Sequence, residues 1–195
     1  MSRLSPTLAL AVVAAVLYNA WLLGFVLDPD GLHGSYVSVL EAPGHPHAEV
    51  FVVCDIVAGA AAVLAGLLLR RQGEPAGDGF VVFGVGNILE ATIPISARCA
   101  ASVAACGTGL GQVLAPHDVA SLVSVLGLAL ALLAVRRAPR MRAVIGIWVA
   151  AALFMVFSVV ADDLVIAAQA VFLGACGLAL VAVPLAVPLA VRRAC

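Results

Sequence analysis

Apolar runs at residues 8–27, 50–69, 80–95, 119–135, 143–161 and 164–191 are separated by short polar segments. Each is close to the roughly 20 residues a helix needs to cross a hydrocarbon core. None alternates apolar and polar positions with a period of two, which excludes membrane strands. The pattern predicts an all-α polytopic membrane protein, a single six-transmembrane-helix bundle over residues 1–195. The third run is short and reaches Pro94, and the sixth is long and contains Pro184 and Pro188. That last segment is expected to tilt, kink or leave the bilayer early. The first run is too long for the core of a signal peptide and enters VLDPDG without an A-x-A site, so it reads as a retained anchor.

Composition makes the membrane assignment quantitative. Of 195 residues, 64% are hydrophobic and 11% charged, with a mean hydropathy of +1.18. A soluble domain has about 45–50% apolar and about 25% charged residues, so the surplus here has no soluble core to enter. Lysine is absent and all ten basic residues are arginine. In a six-span topology nine of the ten fall on one side: Arg3, Arg70, Arg71, Arg136, Arg137, Arg140, Arg142, Arg192 and Arg193. Arg98 alone falls on the other. Basic loops stay cytoplasmic, so both termini are expected inside. A lysine-free chain rich in Ala, Val, Leu, Gly and Arg suggests a high-GC bacterial genome and hence a bacterial cell membrane. The net charge of −1 is uninformative about polyanions; the expected partner is the lipid bilayer, not nucleic acid.

Polar residues inside the runs are unevenly placed. Asn19 lies eight residues from the outer end of the first run, and Asp55 five residues below the outer start of the second. Asn87 and Glu90 lie eight and five residues below Ile95, three apart and so on one helix face. Ser121 and Ser124 follow His117 and Asp118 in the fourth run, Ser158 lies beneath Asp162 and Asp163, and Gln169 is five residues into the sixth. At about 1.5 Å per residue, these groups occupy the outer half, and the inner halves are almost wholly apolar. The layout predicts a cup open to the outer face above a dry floor, where a channel would need polar groups across the full depth.

For Asn19, Ser124 and Gln169, interhelical hydrogen bonding at about 0.6 kcal/mol each is as good an account as ligand contact. Asp55 and Glu90 differ, because an ionised carboxylate near the bilayer centre costs about 2.5–3.5 kcal/mol. No basic residue lies within the runs to pair with them. They are expected to be protonated, wet, cation-bound, or to share a proton, with Glu90 the natural companion of Asp55. Gly59, Ala62 and Gly66 read as close-packing positions of the second helix.

Five cysteines sort by compartment. Cys99 and Cys106, together in the outer loop RCAASVAACGTGLGQ, are expected to form a disulfide. Closing so small a ring stabilises by roughly 2–3 kcal/mol on a chain-entropy account. Cys54 and Cys176 read as packed apolar residues and Cys195 as a free tail thiol. All four histidines, His33, His45, His47 and His117, are on the outer side. A divalent metal is chemically possible there, but the H-P-H of GHPHAE is a weak signal, and His45 and His47 read as solvated loop residues. No cofactor is otherwise implied: G-x-S-x-G, H-E-x-x-H, C-x-x-C and phosphate-binding glycine loops are all missing. GVGNIL lies in a membrane helix and lacks the strand–helix context of a nucleotide loop.

Three stretches together resemble a family of prokaryotic membrane proteins known as domain of unknown function 998. They are SYVSVLEAPGHPHAEVFVVCDIVAG, which carries Ser35 and Asp55, the loop with Cys99 and Cys106, and PHDVASLVSVLG, in which His117 leads the fourth run. The resemblance covers nearly the whole chain and implies a six-helix bundle without an established activity. A more distant similarity is to seven-span membrane hydrolases that hold zinc with histidines. This chain departs from them in having six spans and in lacking three histidines at helix ends.

Three functions fit these residues. In the first, the cup binds or handles a lipid or small amphiphile through Asn19, Ser35, Asp55, Asn87, Glu90, Ser121 and Gln169. In the second, Asp55, Glu90 and His117 are the catalytic groups of an intramembrane enzyme, a metal-dependent hydrolase or an acid-type cyclase. In the third, the chain is a structural subunit of a membrane complex.

Overall fold

A computed structural model describes residues 5–28, 36–95, 115–158 and 164–191, with side chains in the last stretch described to Val187. Every regular element among them is helical. Helix α1 is Pro6–Tyr18, α2 Gly24–Leu27, α3 Ala48–Arg71, α4 Ala76–Thr92, α5 Pro116–Val135, α6 Met141–Ser158 and α7 Val165–Val191. Two 3-10 helices, Ala20–Leu23 and Val37–Glu41, lie in the first third of the chain. Among the described residues, five helical segments are long and apolar enough to cross a membrane: Pro6–Leu27, Ala48–Arg71, Pro116–Val135, Met141–Ser158 and Val165–Val187. The predicted third span is the shorter α4, with 17 residues.

Local chemistry sets several boundaries. Ser5 caps α1 by accepting from the Leu8 amide at 3.2 Å, and Pro6 sits at the first helical position, where its missing amide costs nothing. The first span is not a continuous α-helix. At Asn19 the backbone leaves helical geometry, the side-chain Nδ2 donates to the Ala15 carbonyl at 2.8 Å, and Oδ1 accepts from Trp21 Nε1 at 3.2 Å. Such local bonds compete with the helical ladder, and the next residues tighten into a 3-10 turn. Helix α4 starts four residues before the predicted third run and stops at Thr92. Ile93 is extended because it precedes Pro94. Helix α7 continues through Pro184 and Pro188 to Val191.

The helices pack as a ring in the order α5, α4, α3, α1, α7, closed by a lighter contact from α7 to α5, and α6 lies against α7 outside it. Small residues set the tightest approach. A Cβ on Gly59 would lie 2.6 Å from the Gly84 carbonyl oxygen, and one on Gly66 2.7 Å from that of Gly77. Gly86 is similarly pressed against Ser124 of α5, with 2.5 Å from a Cβ to the Ser124 amide nitrogen. The sequence reading of Gly59, Ala62 and Gly66 as close-packing positions matches this geometry, and the facing glycines lie seven apart on α4. Backbones this close gain dispersion and weak Cα–H···O contacts that lipid cannot supply.

The floor of the ring is dry. Ala58, Ala62, Ala65, Leu69, Phe80, Phe83, Leu128, Leu132, Leu180 and Val183 are buried there in one apolar cluster. A second, smaller cluster joins Trp21, Val37, Val39, Leu40, Ala42, Phe51 and Ile95 at the opposite end. At the α3–α4 turn, Arg70 Nε meets Asp78 Oδ1 at 2.7 Å, but both side chains are more than half exposed. Such a pair contributes about 0–1 kcal/mol, so Asp78→Asn is expected to leave thermal unfolding in detergent almost unchanged.

Candidate functional site

Between the two clusters lies a cavity of about 60 Å³ lined by Tyr18, Ala20, Trp21, Val37, Ser38, Leu40, Glu41, Phe51, Asp55, Glu90, Gln169 and Leu173. Its walls come from the end of the first span, the first two turns of α3, the last turn of α4 and the first turns of α7. The 3-10 helix Val37–Glu41 lies across its mouth. The cup predicted as open is therefore narrowed by a roof, and the reason is hydrophobic. Val37, Val39 and Leu40 are buried against Trp21 and Phe51, and the Val37 amide donates to Gln169 Oε1 at 2.7 Å.

Three carboxyl groups face the cavity. Asp55 and Glu90 both line it, but the hydrogen-bond partner of the Asp55 carboxyl is Glu41. A hydrogen bond between two carboxyl groups requires a proton on one of them. Asp55 therefore shares a proton across the roof, where the sequence had pointed to Glu90. Burial holds the Glu41 carboxyl above its ordinary range, while the bond from Asp55 and the nearby His117 ring pull it down. Glu90 takes its own partners from α5: Ser121 Oγ donates to Glu90 Oε1 at 2.5 Å, and His117 Nε2 lies 3.9 Å from the same oxygen. His117 is buried and its Nδ1 is 2.8 Å from the Ile93 carbonyl, which places the proton on Nδ1. Among the described residues, none that lines the cavity is basic.

The remaining predicted residues fall into two groups. Gln169 lines the cavity and anchors its roof. Asn19, Asn87, Ser121 and His117 stand behind the wall. Asn19 bonds within its own span, and Asn87, fully buried, donates to the backbone carbonyl of Asp55 at 2.6 Å and so ties α4 to α3. Ser124 and Ser158 bond carbonyls of their own helices, Ala120 and Met155, so α6 adds no polar group to the cup. His45 is not a solvated loop residue: its side chain is 11% exposed and Nε2 lies 2.9 Å from Asp28 Oδ2, joining the segment before α3 to the end of the first span. His47 is exposed in a left-handed conformation just before α3. Cys54 and Cys176 are free thiols, and the Cys176 Sγ accepts from Trp148 Nε1 at 3.4 Å. Ser35, His33, Cys99, Cys106, Asp162, Asp163 and Cys195 lie outside the described residues. Among the described residues, no three His, Cys, Asp or Glu side chains form a group able to hold a metal ion.

A protein-family model described as protein of unknown function (DUF998) matches residues 9–192. The chain belongs to this family. No curated protein and no solved structure matches it. Together with its apolar helices, membership makes the chain a multi-pass integral membrane protein of the DUF998 family.

The site of this DUF998 protein contains residues that the apolar runs did not single out: Glu41, Ser38, Tyr18 and Trp21. One signal was present for Glu41. It ends YVSVLE, and four apolar side chains in a six-residue piece of an outer loop are a reason to expect that piece to fold back onto the bundle.

Proposed function

We propose that this protein is a six-span, bacterial cell-membrane protein with both termini cytoplasmic that binds the small cationic head of an amphiphile drawn from the outer leaflet. The observation that carries the reading is the convergence of Glu41, Asp55 and Glu90 on one aromatic-walled cavity with no basic residue among the described residues of its lining. Three buried carboxyl groups with a single histidine beside them among the described residues favour a ligand that brings positive charge and donors. Trp21 and Tyr18 add ring surfaces of the kind that attract ammonium groups. A cavity of about 60 Å³ is far smaller than the roughly 300–1,000 Å³ of a drug-sized site. Only a head group enters; its acyl or alkyl chain remains in lipid.

Topology supports the same direction of entry. Helix α3 ends in Arg70 and Arg71, and four arginines lie between or just inside the facing ends of α5 and α6. Those ends are cytoplasmic by the charge rule. The cavity is then at the outer end of the bundle.

Native mass spectrometry of the full chain with a primary alkylammonium amphiphile is the test. The probe is expected to remain bound, and an alkyl sulfate of equal chain length is expected to be lost at the same activation energy. The combined Asp55→Asn, Glu90→Gln variant is expected to lower retention at least about tenfold, since losing one charge-assisted contact costs about 1.4 kcal/mol or more. Equal retention of both probes, or an unaltered variant, would remove this reading.

A further inference from the structure

The roof of the cavity is tied to its wall by one polar contact that can change with proton activity. Segment 36–42 is short, its apolar side chains rest on Trp21 and Phe51, the Val39 and Ala42 amides bond locally, and the Val37 amide bonds Gln169. At its end Glu41 meets Asp55, a carboxyl against a carboxyl. Removing the shared proton replaces a hydrogen bond by the repulsion of two carboxylates in a place with little water.

We infer that segment 36–42 is a proton-latched lid: the Glu41–Asp55 hydrogen bond holds it over the cavity, and loss of the shared proton releases it toward the outer face. Other groups around the latch set its balance. On α3, Cys54 adjoins Asp55; on α4, Glu90 acts on both carboxyls; on α5, His117 acts on Glu41 and Asp118 acts on Glu90. Tyr18 of the first span and Cys176 of α7 feel Glu90, whereas Gln169 of α7 is neutral. Glu90 repels an ionised pair and favours release, and a cationic His117 opposes it. The direction follows from linkage. Closed, the pair is held by one proton that Asp55 donates to Glu41; open, that bond is gone and the proton is held less firmly. Closure is therefore present at low pH and is lost as rising pH removes the shared proton. Outer-face pH would then control entry to the site.

The inference rests on the cavity being a binding site, but its test uses no amphiphile, so the two readings can fail separately. Ser38 lines the cavity beneath the lid. The full chain carrying Ser38→Cys, in lipid nanodiscs, is treated with a charged methanethiosulfonate reagent, and modification of residue 38 is followed by mass spectrometry. Each rate is divided by the rate in a Ser38→Cys, Glu41→Gln background, which cancels the pH dependence of thiol chemistry. A glutamine bonds Asp55 whether or not Asp55 is ionised, so that background stays closed. The ratio is expected to rise about tenfold or more between about pH 5 and pH 8; a flat or falling ratio overturns the latch. Should Ser38→Cys not fold, hydrogen exchange of the native chain reads the same event. Protection of the Val37, Val39 and Ala42 amides should fall with pH relative to Glu41→Gln, and equal protection refutes the proposal.

Discussion

Gly84→Leu is expected to abolish recovery of a monodisperse, folded protein from detergent. A Cβ at this position points at the Gly59 carbonyl and lies 2.8 Å from Val63 Cγ2 on α3, so no rotamer of a larger side chain avoids the backbone. Overpacking a core usually costs about 1–3 kcal/mol. Here the obstacle is main chain, and the cost is expected to reach about 3 kcal/mol or more, because α3 and α4 must separate. Separation also breaks the bond from Asn87 to the Asp55 carbonyl, one turn above, so the site is lost with the packing. Gly146→Leu is the control. A Cβ there meets nothing within 4 Å, and size-exclusion profile and thermal midpoint are expected to stay at wild-type values. Equal behaviour of the two variants would mean that α3 and α4 do not touch as described.

The second large effect concerns the carboxyl pair. Glu41→Leu leaves Asp55 without its hydrogen-bond partner in the cavity, and Asp55→Leu does the same to Glu41. Each single change is expected to destabilise the folded protein by about 1–3 kcal/mol, the cost of an orphaned buried polar group. The double change removes both groups and extends the apolar contact between the roof and Phe51. It is expected to be more stable than either single variant, with a coupling of about 1–3 kcal/mol in denaturant or thermal unfolding. It is also expected to lose the ammonium probe. Strict additivity would show that Glu41 and Asp55 do not meet. Full retention of the probe by a stable double variant would show that the pair serves packing alone.

Much of this was legible in the sequence. Asp55 and Glu90 stood out because a carboxylate at membrane depth is costly enough to need a reason, and both line the cavity. The position of Gln169, five residues into its apolar run, was informative in the same way. The reading went astray where it treated depth as direction. Asn87 has the right depth but bonds the backbone of α3, Ser124 bonds a carbonyl of its own helix, and Ser158 does the same on a helix outside the ring. Glu41 was passed over because it stands in a loop, and only folding back onto Trp21 and Phe51 brings its carboxyl to Asp55.

The sequence by itself determined residence in the membrane, helical spans and the contrast between a polar end and an apolar one. Those properties are sums of transfer free energies over consecutive residues, so they need no knowledge of neighbours. Tertiary structure decided which polar groups meet. Pairing of Glu41 with Asp55, of Ser121 with Glu90, and of Val37 with Gln169 joins segments 14, 31 and 132 positions apart. Such contacts depend on how closely glycine-faced helices approach and how a short apolar loop seats itself, which no local pattern encodes.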